Sequence, residues 1–339
     1  MQPDLLDEAE LRLVHALQVA PRISWTDLAR VLGVSAQAEA ARWQRLQSEG
    51  LAWVAAYPGG RFDSFVFALV EVDCRSKMLR SLTTRLCQDP RVVTVEEPTR
   101  GRDLLLTVMS PDLAALSTFV RDELTALPGV ERQRTYVMTS VHRDGSRWTL
   151  DALSRDETRQ LRDTTTPIAF EPAEPVPAGA GPLLAALVRD GRAPAADLAR
   201  SLGRDPSTAR RQLTRLLRSG AISLRCEVAN SAVGYPISFL WLARVAAADV
   251  HRTVTALATL PELRLCASTT GATNLVIAVW ARDLRQVETI EQTIGELAPW
   301  IEIRDSGLNL RTPKRVGWLL DDQGRSTGSV IPPSALAHL

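Results

Sequence analysis

The sequence predicts an α+β protein made of two tandem copies of one unit, each a helix-turn-helix domain followed by a β-α-β-β-α-β domain. Three observations carry this. First, landmarks recur at one offset: "DLAR" stands at Asp27 and again at Asp197, 170 residues on. Gly33 answers to Gly203, Gly50 to Gly220, Gly101 to Gly271 and Trp148 to Trp318. Second, the first third of each copy has apolar residues at helical spacing, broken by a short Gly-containing turn. Third, the remainder of each copy alternates β-rich runs with amphipathic helices. Repeats at fixed offset through helices, strands and loops indicate one module written twice.

The elements follow in order. "LDEAELRLVHALQVA" places Leu6, Leu13, Val14 and Leu17 on one helical face, with Asp7 as N-cap, and Pro21 ends it. "SWTDLARVLG" is a short second helix capped by Ser24, burying Leu28, Ala29 and Leu32. "SAQAEAARWQRLQSEG" is a third, with Ser35 as cap and Gly50 at its stop. Copy two repeats the plan over Leu183–Val188, Ala193–Leu202 and "DPSTARRQLTRLLRSG", where Asp205 caps and Pro206 takes the first helical position. Three helices of this kind, the last two joined by a tight turn, form a winged-helix-like helix-turn-helix domain. The domain boundaries are 4–56 and 182–226 for the helix-turn-helix domains and 61–142 and 227–312 for the α/β domains. A helix and a Pro/Ala-rich spacer fill 143–181, and 313–339 reads as a tail.

The major groove admits one α-helix, and the second helix of such a pair sends its N-terminal side chains to base edges. Pattern alone also fits a three-helix protein-docking domain, so charge must discriminate. Residues 181–225 hold nine Arg against three Asp, net +6; residues 11–55 hold five Arg against three acids, net +2. Phosphate neutralisation supplies most non-specific DNA affinity, so copy two is the better equipped. With Ala209, Leu213 and Leu216 inward, Ser207, Thr208, Arg211 and Gln212 are expected to face bases. Arg204, Arg210 and Arg215 are expected on phosphates. In copy one the matching positions are Gln37, Ala38, Ala41 and Arg42, a thinner set, with Arg45 as a further candidate contact. Its Glu39 falls on the presumptive inner face, which requires Arg42 or Arg45 as partner or a rolled helix.

In the α/β part, "DSFVFALVEVD", "SKMLRSLTTRLCQD", "RVVTVEE", "DLLLTVMS", "DLAALSTFVRDELTAL" and "VERQRTYVMTSV" give β-α-β-β-α-β, and copy two matches. This is the ferredoxin-like arrangement, one antiparallel sheet with both helices on one face. The bare face must be covered. Two sheets packed face to face would do so, which implies self-association.

The order of "DLARVLGVS" with "QRLQSEGL", "DLARSLGRD" with "TRLLRSGAI", and the loops "TRGRD" and "TTGATN" resembles the Lrp/AsnC (feast/famine) transcriptional regulators, over nearly the whole chain. The resemblance implies sequence-specific binding of double-stranded DNA and homo-oligomers, dimers or larger, formed through the α/β domains. It also implies a small-molecule effector, such as an amino acid, near the loops between the second and third strands. Carried over by position, these are Thr99, Arg100, Gly101, Arg102 and Asp103, and Thr269, Thr270, Gly271, Ala272, Thr273 and Asn274. The family's acidic residue late in the loop is kept at Asp103 and replaced at Asn274. From the residues alone, each loop is equally a hairpin with glycine at its turn.

No catalytic constellation emerges, and no cofactor or metal ligand set is expected. His15, His142, His251 and His338 are scattered, and Cys74, Cys87, Cys226 and Cys266 form no close pair, which fits a reducing cytoplasm. No long apolar run suggests a membrane span. Two alternatives stay open: an enzyme like the siroheme decarboxylases, which share this domain order, and a ligand sensor acting through protein contacts.

Overall fold

The computed structural model describes residues 5–58, 65–99, 101–164, 180–220 and 222–334. The chain divides into two compact units, and they are not the two copies. One unit combines residues 64–148 with 230–324, the α/β parts of both copies; the other combines 6–63, 149–229 and 325–339, with both helix-turn-helix domains. Like modules pair with like.

In the helical unit, α1 (Glu8–Val19), α2 (Trp25–Leu32) and α3 (Ala36–Ser48) form the first module. Asp7 and Glu10 make a reciprocal capping box on α1, and Ser24 and Ser35 cap α2 and α3. Leu13, Leu17, Leu28 and Leu46 are fully buried, each worth about 1.5–3 kcal/mol of removed apolar surface. The second module has α7 (Gly181–Arg189), α8 (Ala195–Ser201) and α9 (Pro206–Arg218). The turns at Gly33 (φ 70°) and Gly203 (φ 59°) are left-handed, which a glycine adopts without a Cβ penalty. The repeated Asp-Leu-Ala-Arg is scaffold: Asp27 pairs with Arg30 and Asp197 with Arg200, while Leu28, Ala29, Leu198 and Ala199 are buried.

Each module then contributes one strand to a shared ribbon. β1 (Ala52–Pro58) runs antiparallel to β6 (Ile222–Val228) from Ala52 opposite Val228 to Pro58 opposite Ile222. The connecting helix α6 (Arg155–Thr164) packs on α1 and α2 with Leu161 buried, and Arg12 pairs with Glu157. His15 Nδ1 accepts from the Ala152 and Leu153 N–H groups, both at 3.1 Å. Burial holds this imidazole down at about 4, partly offset by the Asp151 charge.

The α/β unit contains, from copy one, β2 (Val66–Cys74), α4 (Leu79–Gln88), β3 (Val92–Pro98), β4 (Leu104–Ser110), α5 (Leu113–Thr118) and β5 (Val130–Arg143). Copy two supplies β7 (Ile237–Arg244), α10 (Val250–Leu257), β8 (Leu263–Thr269), β9 (Leu275–Ala281), α11 (Leu284–Leu297) and β10 (Glu302–Arg315). Neighbouring strands close a ring in the order β3-β4-β2-β5-β8-β9-β7-β10 and back to β3, all antiparallel. The two sheets do face each other: Leu69 and Leu105 of copy one meet Leu240, Leu242 and Val276 of copy two in one apolar cluster. Both sheets belong to one chain, so this face is covered within the chain and does not itself call for a second copy. Each sheet's other face packs on its own helices, around Val70, Leu86 and Phe119 in copy one and Ile277, Leu257 and Ile290 in copy two.

Three sequence expectations are corrected. The run from Leu113 is α-helical only to Thr118 and continues as a wider turn over Phe119–Glu123. The stretch 313–339 is not a plain tail: β10 runs on to Arg315, and β11 (Trp318–Leu320) and β12 (Ser326–Val330) follow. The pairing of Gly101 with Gly271 is off by one. Thr99 and Thr270 make the same bonds, each N–H donating to the other copy's last strand, at Leu308 O (2.8 Å) and Val137 O (2.9 Å). The offset is therefore 171 through both loops and already from the first strand, where Leu69 faces Tyr136 and Leu240 faces Gly307. Among the described residues no helix is long and apolar enough to cross a membrane.

Candidate nucleic-acid interface

α9 begins at a strong cap. Asp205 Oδ1 accepts from the Ser207 hydroxyl (2.6 Å) and N–H (2.8 Å) and from Thr208 N–H (3.4 Å), which holds its carboxyl below the usual range. Ala209, Leu213 and Leu216 are buried, which turns Ser207, Arg210, Arg211, Thr214, Arg215 and Arg218 outward. The guanidinium groups of Arg210, Arg211, Arg215 and Arg218 have no partner among the described residues. Arg204 is half-buried and donates to Gln212 Oε1, so these two expected DNA contacts engage each other in the free protein.

α3 occupies the equivalent place with a different surface. Gln37, Ala38 and Ala41 are exposed, but the arginines are engaged. Glu39 is buried and pairs with Arg42, which answers the question its position raised: the partner is present and the helix need not roll. Arg45 pairs with the buried Glu10 and, at 3.1 Å, with Glu49. In copy two Glu10, Glu39 and Glu49 are replaced by Ala180, Ala209 and Ser219. The same arginine position, Arg215, is thereby left without an acid among the described residues.

The two candidate effector loops lie in the α/β unit, each held to the other copy's last strand. Arg100 lies outside the described residues. Thr99 Oγ1 accepts from Leu308 N–H (3.3 Å), and Thr270 Oγ1 from Val137 N–H (3.0 Å). Asp103 Oδ2 accepts from Cys74 N–H at 2.7 Å. Asn274 does the same for Val245 N–H (2.8 Å) and adds an Nδ2–H bond to Val245 O (2.8 Å). Both late-loop side chains thus fasten the loop to its own first strand, and the amide makes a second bond there because it also donates. Gly271 has φ 115°, and a Cβ there would lie 2.9 Å from the Tyr136 ring. Ala272 is exposed, Thr269 and Thr273 are buried, and the Thr273 hydroxyl has no hydrogen-bond partner among the described residues.

Sequence reasoning missed the charged network beside the first loop. Arg102, its side chain 1% exposed, donates to Glu71 on β2 and to Asp305 (2.5 Å) on copy two's β10. Arg134 donates to Glu71 (3.2 Å) and Asp73 (3.1 Å), and Tyr136 to Glu71 (3.4 Å). The period of two along a strand puts Arg134 and Tyr136 on one face, but nothing local names Glu71 as their common acceptor.

The chain matches the AsnC-type helix-turn-helix domain over residues 6–47 and the Lrp/AsnC ligand binding domain over 67–148. Residues 183–223 match a winged helix-turn-helix DNA-binding domain. The Bkd operon transcriptional regulator of Pseudomonas aeruginosa is 30% identical over 130 residues, 37% of this chain and 85% of that protein. The proline dehydrogenase transcriptional activator of Rhodobacter capsulatus is 32% identical over 139 residues, 40% of this chain and 90% of that protein. Among solved structures, the siroheme decarboxylase NirDL aligns with a TM-score of 0.54, covering 90% of this chain and 92% of its own, at 14% identity. That likeness concerns the fold alone. It extends over nearly the whole chain, whereas the regulators match over about two fifths of it, as expected where a single-copy protein meets a duplicated one. On the strength of those regulators, aligned over most of their own length, the chain belongs to the Lrp/AsnC family of DNA-binding transcriptional regulators.

Proposed function

We propose that this regulator binds double-stranded DNA chiefly through α9, with Arg211 at bases and Arg210 and Arg215 on phosphates. Ser207, Thr208 and Gln212 complete the reading face, and Arg204 joins Arg210 and Arg215 on phosphates when Gln212 exchanges partners. The observation that carries this reading is the contrast in charge: the α9 arginines are exposed and unpartnered among the described residues, while Arg42 and Arg45 of α3 are paired with acids. Gln37, Arg42 and Arg45 supply at most a weaker contact. An effector, an amino acid or a molecule like it, acts at the loops Thr99–Asp103 and Thr269–Asn274. Support for that comes from the matched ligand-binding domain, which includes the first loop. Assembly of chains into dimers or larger oligomers through the α/β domains, in the cytoplasm, belongs to the same reading.

Genome-wide capture of DNA by the full-length protein, repeated with Arg211→Ala, tests it. The parent is expected to enrich discrete sites, and the variant to lose about 1–3 kcal/mol at them, the value of a bidentate base contact. No enrichment by the parent sinks the proposal. Tetrapyrrole absorbance of the purified protein without any DNA shift would instead favour the enzymatic alternative.

A further inference from the structure

The two helix-turn-helix modules are joined by a contact made twice. Arg22, just after α1, donates to the carbonyl oxygens of Gly191 and Ala193, the latter at 2.8 Å. Arg192, its equivalent 170 residues on, donates to those of Pro21 (2.5 Å) and Ile23 (2.9 Å). Each arginine therefore grips the carbonyls on both sides of its counterpart. Those carbonyls lie just past the C-terminal ends of α7 and α1, where the helix dipole favours a cation. α1 has no basic residue in its own last turn, so the other module supplies it. Arg192 also lies over the Trp25 ring, 4.2 Å from its centroid, at the start of α2.

The far side of the joint is the β1–β6 ribbon. β1 starts four residues after α3 ends, and β6 four residues after α9 ends. Each recognition helix thus runs into a strand hydrogen-bonded to the other module, while the arginine pair locks the turns leading into α2 and α8. A guanidinium can bridge two carbonyls with its planar fork, and an ammonium cannot hold that geometry.

We infer that Arg22 and Arg192 are positioning residues for DNA recognition: they hold α3 and α9 in one fixed relation, so that a single chain presents both helices to one duplex. The inference rests on the reading of α9 as the DNA-binding helix. α9 anchors the complex, and α3 follows on the phosphate backbone at a separation the joint sets.

The test is hydroxyl-radical footprinting of the full-length protein on the duplex most enriched in the capture experiment. The parent is expected to protect one strong patch and a weaker second patch, about one helical turn away. The double variant Arg22→Lys with Arg192→Lys keeps the first patch, loses the second and binds roughly 10-fold more weakly. Far-UV circular dichroism checks its fold, and either single substitution, with a partial loss of the second patch, serves where the double variant does not fold. An unchanged footprint in the folded variants overturns the inference. So does failure of all three variants to fold, which assigns the pair to folding alone. A parent with no footprint overturns the DNA reading itself, and this inference with it.

Discussion

The two copies share a scaffold and differ in what they do with charge. In copy one, Glu39 is buried against Arg42, Glu10 against Arg45, and Glu71 against Arg102 and Arg134. At the equivalent places copy two has Ala209, Ala180 and Leu242, and Thr273 where Arg102 stands. Copy one therefore uses its arginines to neutralise acids inside its own fold. Copy two has lost the acids, buries apolar groups in their place, and leaves arginines at the surface of α9. A cation already paired with a buried carboxylate is neutralised and held in place by it, so it adds less attraction for a phosphate than an arginine without an acid. The difference teaches that a count of arginines is a poor guide to a DNA-binding surface; what matters is which of them lack an acid.

The sharpest test of this contrast lies away from the DNA surface. Glu71→Ala takes one carboxylate away from the buried Arg102 and removes the common acceptor of Arg134 and Tyr136. Breaking a buried pair from one side costs about 3–5 kcal/mol. Thr273→Val, at the position equivalent to Arg102, removes a buried hydroxyl with no partner among the described residues, and its cost is expected near zero or below. Urea midpoints of the two variants measure this. Equal losses would mean that the two corners are energetically alike and the comparison fails.

The helical unit offers a second contrast, in pH. His15 is neutral and buried, whereas its equivalent in copy two is Ala185. Its pKa of about 4 lies below the ordinary 6.5. As pH falls below 6.5 the unfolded chain takes up a proton that the folded one refuses until near 4. The contribution is therefore complete above about 6.5 and declines towards 4, by about 3 kcal/mol, and the loss stops growing below that. Denaturation of the parent and of His15→Gln between pH 4 and 8 reads it directly. Parallel stability profiles would show that His15 carries none of the dependence.

Much of the fold was legible because its signals are local. Asp7, Ser24, Ser35 and Asp205 announce the helix starts, and each caps as expected. Alternation in "FVFALVEVD" separates the face carrying Ala68, Val70 and Val72 from that carrying Leu69 and Glu71. Contacts between residues some 170 apart leave no such trace. The β1–β6 ribbon and the Arg22–Arg192 joint link equivalent positions of the two copies, and a repeat shows equivalence without showing contact. Matching Gly101 to Gly271 by residue type also misplaced the loop by one residue, because backbone bonding is set by Thr99 and Thr270. At the site, the bias towards α9 was visible as net charge. The engagement of Arg45 with Glu10 was not, since the two stand on different helices, 35 residues apart in the chain.

Arg45 and Arg215 give the smallest effect and the most direct one, because the same residue type stands at the same place in both copies. Arg45→Ala leaves the buried Glu10 short of a partner, so it is expected to lower stability by about 1–3 kcal/mol. It removes no free cation, so the slope of log affinity against log salt is expected to stay as in the parent. Arg215→Ala breaks no pair among the described residues, and stability is expected to change by less than about 0.5 kcal/mol. It does remove a phosphate contact, which lowers the salt slope by about 1 and weakens binding across all sequences alike. The two readouts should thus exchange places between two chemically identical substitutions. If both variants lower the salt slope equally, Arg45 abandons its acids when DNA arrives, and copy one binds as copy two does.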